Sequence, residues 1–314
     1  MDKAYIQSRI EKNKDLYPFL TLKIHVIAQF FFEAKTSDDL IDIKKYAIKQ
    51  KIPLFILGGG SNLFFTKNKI KTLVVKNSYI DLKKIKEDEN SVLIKVSSGY
   101  PVSSLVNLCI EHGWAGLEYH LGLPGTVGGA IFMNSKWMKP PSFFGDNLIE
   151  AELIDEKGNL KKVKRGYFQF DYDYSILQKT KELVLTATFK VKKEKRDEIK
   201  KRALDALEYR KKTQPLGVAT CGCFFQNIKE EERQKKKLPT TSAGYLIDKA
   251  GLKNFSVGDF YISPVHANFV INKGGGKIED LQKLLNIVKE KVKNKFGIIL
   301  KEEVVKYDDT NKNN

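Results

Sequence analysis

Apolar positions recur along this chain at two spacings, and their changes mark its elements. Ser37, Asp38 and Asp39 precede Leu40, Ile41, Ile43, Ala47 and Ile48, a pattern that predicts a capped helix over 37–50. The apolar run from Ile52 to Leu57 predicts a buried strand. Leu73 to Val75 and Val92 to Val96 read as further strands, and Val102 to His112 as a helix ending at Gly113. Leu183, Leu185, Ala187, Phe189 and Val191 alternate with less apolar neighbours, which predicts a half-buried strand. Residues 192–212 are charge-rich, with Ile199, Ala203, Ala206 and Leu207 at helical spacing, as expected of a connector helix. Ile278, Leu281, Leu284, Leu285, Val288 and Val292 predict a long amphipathic helix stopped by Gly297. Ile298 to Leu300 and Val304-Val305 predict a final strand, and the polar residues from Asp308 on are expected to fray. Interleaved helices and strands of this kind make the fold class α+β.

Glycines interrupt the pattern at two places. Gly58, Gly59, Gly60, Ser61, Asn62 and Leu63 follow the 52–57 strand. About 60 residues later comes Gly122-Leu123-Pro124-Gly125-Thr126-Val127-Gly128-Gly129-Ala130. Glycine removes side chains and lets backbone N–H groups converge on an anion. One such cluster reads equally as a tight turn, but two suggest walls around one phosphate-bearing ligand, a nucleotide. Neither is a P-loop, and neither is a G-x-G-x-x-G opening a helix with an acid about 20 residues on.

Composition narrows the class. With 314 residues, 42% hydrophobic, the chain is long enough for two domains or three small ones. No apolar run approaches the ~18 residues of a membrane span, and Met1 to Tyr5 carry no signal-peptide pattern, so a cytoplasmic protein is expected. Cys109, Cys221 and Cys223 make no disulfide framework. Four histidines without H-E-x-x-H give no metal site. The net charge of +17 is spread over the length, with only Lys235-Lys236-Lys237 forming a run. No RNP, KH or zinc-finger signature accompanies it, so solvated faces and no nucleic-acid partner are expected. A basic field favours a polyanionic small substrate, and monomer is the default state.

Taken in order, the motifs resemble the UDP-N-acetylenolpyruvoylglucosamine reductase (UDP-N-acetylmuramate dehydrogenase) family, in its shorter class without an extra insert. The resemblance rests on Leu57 to Leu63, Gly122 to Asn134, Gln214-Pro215, Cys221 to Gln226, Ala243 to Lys253, His266 to Asn272 and Leu300 to Val304. It implies a vanillyl-alcohol-oxidase-type FAD-binding domain in two subdomains plus a C-terminal α+β substrate-binding domain. The implied boundaries are an N-terminal extension 1–17, the FAD domain 18–196 divided near 80, the substrate domain 197–306 and a tail 307–314. FAD and NADPH are the implied cofactors, and a nucleotide sugar the substrate. Gly58 to Leu63 with Gly122, Pro124, Gly125, Thr126, Gly128, Gly129 and Ala130 would hold FAD.

The resemblance also assigns chemistry. Cys223 stands where the family carries a serine proton donor, and a thiol, with an ordinary pKa of about 8.5, is the better acid. Glu303 falls on the family's late glutamate. Because Glu302 would face the other side of a strand, one of the two serves. Tyr172, Ser175, Arg210, Gln226, Asn227, Tyr245, Lys253 and His266 are the substrate-side candidates, with a turn-bonding histidine as the competing reading of His266.

Three departures stand out. The family's Tyr-Arg-x-Ser reads Tyr172-Asp173-Tyr174-Ser175, so a carboxylate replaces a cation; Arg165, Arg210 and Lys211 are candidate substitutes. Thr21 to Val26 lacks the family's glycines, and Ser135-Lys136-Trp137-Met138 replaces a small-residue run. These leave open a flavoenzyme of the same fold with an uncharged substrate, and a non-catalytic flavin- or nucleotide-sugar-binding relative.

Overall fold

The computed structural model describes residues 3–309. The chain forms two compact units, each assembled from separated segments. The first takes the residues up to Asn13, Gln29–Gly59 and Thr72–Arg210. The second takes Lys14–Ala28, Gly60–Lys71 and the residues from Lys211 on.

In the first unit, the helix Ser37–Gln50 begins with a reciprocal cap. The Thr36 hydroxyl accepts from the Asp39 N–H at 3.1 Å, and the Asp39 carboxylate accepts from the Thr36 N–H at 3.2 Å. Its Leu40, Ile43 and Ala47 pack with Phe32, Leu73, Val75 and Ile6, the last from the short helix Lys3–Ser8. The strand Leu54–Leu57 runs parallel to Lys69–Asn77, with Leu57 opposite Lys76. It ends a four-stranded sheet, so only Leu57 is buried, where the apolar run alone predicts a wholly buried strand.

A six-stranded sheet builds the rest of this unit. Leu183–Lys193 lies inside it, antiparallel to both Leu148–Ile154 and Ser91–Ser97. Leu183 to Phe189 are all buried. The alternation predicts one covered face, but Thr186 and Thr188 are buried too, and the Thr186 hydroxyl donates to Glu152 at 2.8 Å. The connector helix starts at Arg196, because Lys192 and Lys193 still belong to this strand.

The second unit holds a three-stranded antiparallel sheet, Ser256–Val257, Phe260–Ile262 and Val270–Asn272. The helix Ile278–Phe296 buries the six predicted apolar positions and closes at Gly297 with φ 65°. The last strand is Val305–Tyr307, parallel to Leu63–Phe65, rather than 298–305. Ile298 and Leu300 are buried in irregular backbone. Asp308 and Asp309 pair with Lys67 at 3.5 and 3.1 Å, so these two are anchored; 310–314 lie outside the described residues.

One ion pair in the first unit reports on its acid stability. Arg9 grips Asp39, whose side chain is 4% exposed. Burial opposes ionisation of Asp39, yet hydrogen bonds from Arg9 and the Lys35 and Thr36 amides hold its carboxyl below the usual range. A depressed carboxyl contributes stability above its unfolded value and loses it as pH falls through the folded one. Asp39→Asn is expected to cost about 2 kcal/mol at neutral pH. That deficit should shrink below the ordinary aspartate range, as measured by urea unfolding at pH 7 and pH 3.

Candidate functional site

The two glycine loops meet within the first unit. A Cβ on Gly59 would stand 2.5 Å from the Gly125 Cα, and one on Gly58 2.7 Å from the Thr126 hydroxyl oxygen. Neither position accepts a side chain while the loops touch. The second loop is a loop only as far as Thr126. Val127–Met133 is a short helix whose N-cap is Thr126, so Gly128, Gly129 and Ala130 are helical.

The strand Lys69–Asn77 ties both loops together, since its last two residues point to opposite sides. Lys76 donates from Nζ to the Gly58 carbonyl. Asn77 donates from Nδ2 to the Ser98 hydroxyl at 2.8 Å, and the Ser98 carbonyl accepts from the Gly128 N–H at 2.8 Å. The turn after Ser91–Ser97 adds the Tyr100 carbonyl, which accepts from the Val127 N–H at 2.9 Å. Neither Lys76 nor this turn is singled out by the sequence; the visible signal was only a polar pair closing a β-branched strand.

At the far end of the short helix, Asn134 takes a left-handed conformation and donates to the Asp171 carbonyl at 3.1 Å. The Ser175 hydroxyl donates to the Phe132 carbonyl at 2.8 Å. Asp173, 5% exposed, is held by Lys136, whose ammonium also lies 3.8 Å from the centre of the Tyr172 ring. Burial pushes the Asp173 carboxyl up, against the opposing pull of Lys136. The cation paired with Asp173 is therefore Lys136. Two departures from the family pattern form one ion pair. Arg165 donates to the Gly145 carbonyl at 2.8 Å, while Arg210, buried, stacks on Trp137 at 4.5 Å. Near it His120 is fully buried, its pKa driven down to about 3 by burial and then by the Arg210 charge.

In the second unit, Gly60 accepts from the Thr21 N–H and hydroxyl, both at 3.1 Å. Asn62 accepts from the Val305 N–H at 3.0 Å, and its amide reaches the Glu303 carbonyl at 3.4 Å. Leu63 opens the strand paired with Val305–Tyr307. The Glu303 N–H donates to the Phe224 carbonyl at 2.8 Å, and Phe225 bridges Glu302. Cys223, half-buried, and Glu303 thus lie on two short paired segments, and Glu303 falls just outside the last strand rather than on one. Glu302 turns to Lys289 at 2.5 Å.

Asn268, 4% exposed, organises the Cys223 segment. Its side chain accepts from the Phe225 N–H at 3.0 Å and donates to the Phe225 carbonyl at 2.7 Å. Its carbonyl accepts from the Phe224 N–H. The remaining predicted residues of this unit are dispersed around it. His266 accepts from the Asn268 N–H at 3.3 Å, and burial favours its neutral form. Asn227 accepts from the Ala243 N–H at 3.1 Å, Tyr245 sits in the first turn of the helix Ala243–Lys249, and exposed Lys253 pairs with Asp248 at 3.0 Å. Gln226 donates its N–H to the Lys301 carbonyl. No group of side chains that could hold a metal ion occurs among the described residues.

Two substitutions test this geometry. Gly59→Ala is expected to cost the apoprotein about 1–3 kcal/mol through forced overlap, whereas Gly129→Ala meets only the Thr126 hydroxyl at 3.7 Å and should leave its Tm unchanged. Lys136→Met should cost about 3 kcal/mol or more by stranding the buried Asp173. Adding Asp173→Leu to it should recover part of that loss, measured by urea unfolding.

Two family models match separate stretches of the chain. The FAD binding domain family matches residues 28–164, and the C-terminal domain of UDP-N-acetylenolpyruvoylglucosamine reductase matches 214–307. The reductase of Protochlamydia amoebophila is 35% identical over 306 residues, covering 96% of both chains. That of Caldanaerobacter subterraneus is 32% identical over 298 residues, 95% of this chain and 93% of its own. The crystal structure of the Thermus caldophilus reductase superposes with a TM-score of 0.76 at 26% identity, covering 96% of this chain and 99% of that one. A VAO-type flavoprotein from Myceliophthora thermophila shares the fold at a TM-score of 0.50 and 10% identity, covering 85% of this chain and 70% of its own. Matched nearly end to end by these reductases, the chain belongs to the UDP-N-acetylenolpyruvoylglucosamine reductase family.

Proposed function

We propose that this chain reduces UDP-N-acetylglucosamine enolpyruvate to UDP-N-acetylmuramate, with NADPH as reductant and FAD as cofactor, in peptidoglycan precursor synthesis. The observation that carries this reading is the near end-to-end match to reductases of that name. The touching glycine backbones at Gly59 and Gly125 fit FAD, because they leave main-chain N–H groups without side chains beside a phosphate ligand. When bound, FAD supplies the two-electron chemistry that links NADPH to the enolpyruvyl double bond.

The chain's own residues supply binding and protons. Gly58 to Leu63, Gly122, Pro124, Gly125, Thr126, Gly128, Gly129 and Ala130 hold the cofactor. Cys223 gives the proton that completes saturation of the double bond, and Glu303 helps polarise the enol carboxylate or shuttles a proton. Arg210 supplies the cation for that carboxylate, with Tyr172, Ser175, Gln226, Asn227, Tyr245, Lys253 and His266 on the substrate side. Ser175, Asn227 and His266 each already spend a polar atom on backbone, so substrate meets their remaining capacity. The ion pair with Lys136 neutralises Asp173, which removes the motive for an uncharged substrate.

In this reading residues 18–196, divided near 80, serve FAD and 197–306 serve the substrate. The protein works as a cytoplasmic monomer without nucleic acid. No helix among the described residues is long and apolar enough to cross a membrane.

The test is anaerobic. The flavin is reduced with NADPH, the enolpyruvyl nucleotide sugar is added, and return of the oxidised flavin absorbance is followed. Rapid return is expected in the wild type. Cys223→Ala should slow it about a hundredfold or more while sparing reduction by NADPH. A wild-type flavin that stays reduced would sink the proposal.

A further inference from the structure

The first unit contains a positive charge that the roles assigned above do not use. Lys76 is the penultimate residue of the strand Lys69–Asn77, half-buried, and its ammonium donates to the Gly58 carbonyl. A trans peptide sets C=O and the following N–H on opposite sides. By holding the Gly58 carbonyl, Lys76 turns the Gly59 N–H the other way. That N–H meets no acceptor among the described residues. Gly59 is also the residue whose Cα face lies against Gly125, so the peptide that Lys76 orients is the one at the contact of the two glycine loops.

No carboxylate lies within ion-pair distance of Lys76 among the described residues; the charge that acts on it is Glu33, on the strand Ile27–Ala34. Glu33 itself is engaged by the Ser78 hydroxyl at 2.8 Å and by Lys35 at 3.5 Å. Burial lowers the Lys76 pKa, which is the cost of keeping an ammonium there. A costly, unneutralised cation behind an outward N–H suits an anion on the far side of the peptide. The positive end of Lys76 polarises the peptide and strengthens that N–H as a donor.

We infer that Lys76 is a positioning residue for the cofactor's pyrophosphate, acting through the Gly58–Gly59 peptide that it orients. This rests on the reading of the glycine loops as the FAD site. Dinucleotide affinity then depends on a charge outside both glycine motifs.

The experiment is titration of the apoprotein with FAD by fluorescence quenching, at several salt concentrations, for wild type, Lys76→Met and Lys76→Arg. Wild type should bind FAD. Lys76→Met should weaken binding about tenfold or more, as loss of a charged hydrogen bond does, and flatten the salt dependence. Its apoprotein Tm should not fall, because a desolvated charge has been removed. Lys76→Arg should restore most of the affinity and the salt slope. Equal FAD affinity in Lys76→Met and wild type would overturn the inference and leave the FAD site standing. A weaker affinity with an unchanged salt slope and a lowered Tm would overturn it too, assigning Lys76 to packing alone. No FAD binding by the wild type would instead overturn the reading on which it rests.

Discussion

Everything proposed for the first unit depends on the approach of two main chains at Gly59 and Gly125. Backbones can come this close only where no Cβ intervenes, and one would lie 2.5 Å from its neighbour here. The surrounding structure works to keep the two loops in that contact. Leu54–Leu57 delivers the first loop parallel to Lys69–Asn77, and the short helix capped by Thr126 delivers the second. Lys76 and Asn77, adjacent on one strand, then secure one loop each. A single strand end therefore sets the register of both.

The second unit solves a different problem, that of holding a thiol and a carboxylate in defined places without a regular strand. Cys223 and Glu303 are separated by 80 positions, and short backbone pairings bring their segments together. A buried amide, Asn268, satisfies both the N–H and the carbonyl of Phe225. Such a buried polar group is worth keeping because each of its partners would otherwise be unsatisfied. Glu302 and Glu303 lie outside any regular strand, so strand alternation does not separate them, and Glu302 pairs with Lys289 at 2.5 Å.

Much of this was legible in the residues. The helix 37–50, the glycine loops and the 278–296 helix have local causes: a cap, missing side chains, a 3.6-residue period. What could not be read has non-local causes. The run 52–57 looks buried, yet its exposure follows from its place at a sheet edge. Thr186 and Thr188 look solvent-facing because alternation does not reveal a second layer. Above all, Asp173 looks like a lost cation, since its partner Lys136 stands 37 residues away. Two anomalies in sequence were one compensated pair in space, and only the fold could pair them. Lys76 was silent for the same reason: nothing near it in sequence marks the carbonyl it meets.

The interleaving of the two units has a consequence for synthesis on the ribosome. The chain passes between units at 13, 28, 59, 71 and 210, so neither unit is a continuous stretch of message. Lys14–Ala28 and Leu63–Phe65 emerge well before Val305–Tyr307, the strand that pairs with Leu63–Phe65. The second unit thus cannot complete this pairing until translation has passed Tyr307. Leu63–Phe65 must wait for this partner through more than two hundred codons, a span in which a trapping chaperone would meet it first.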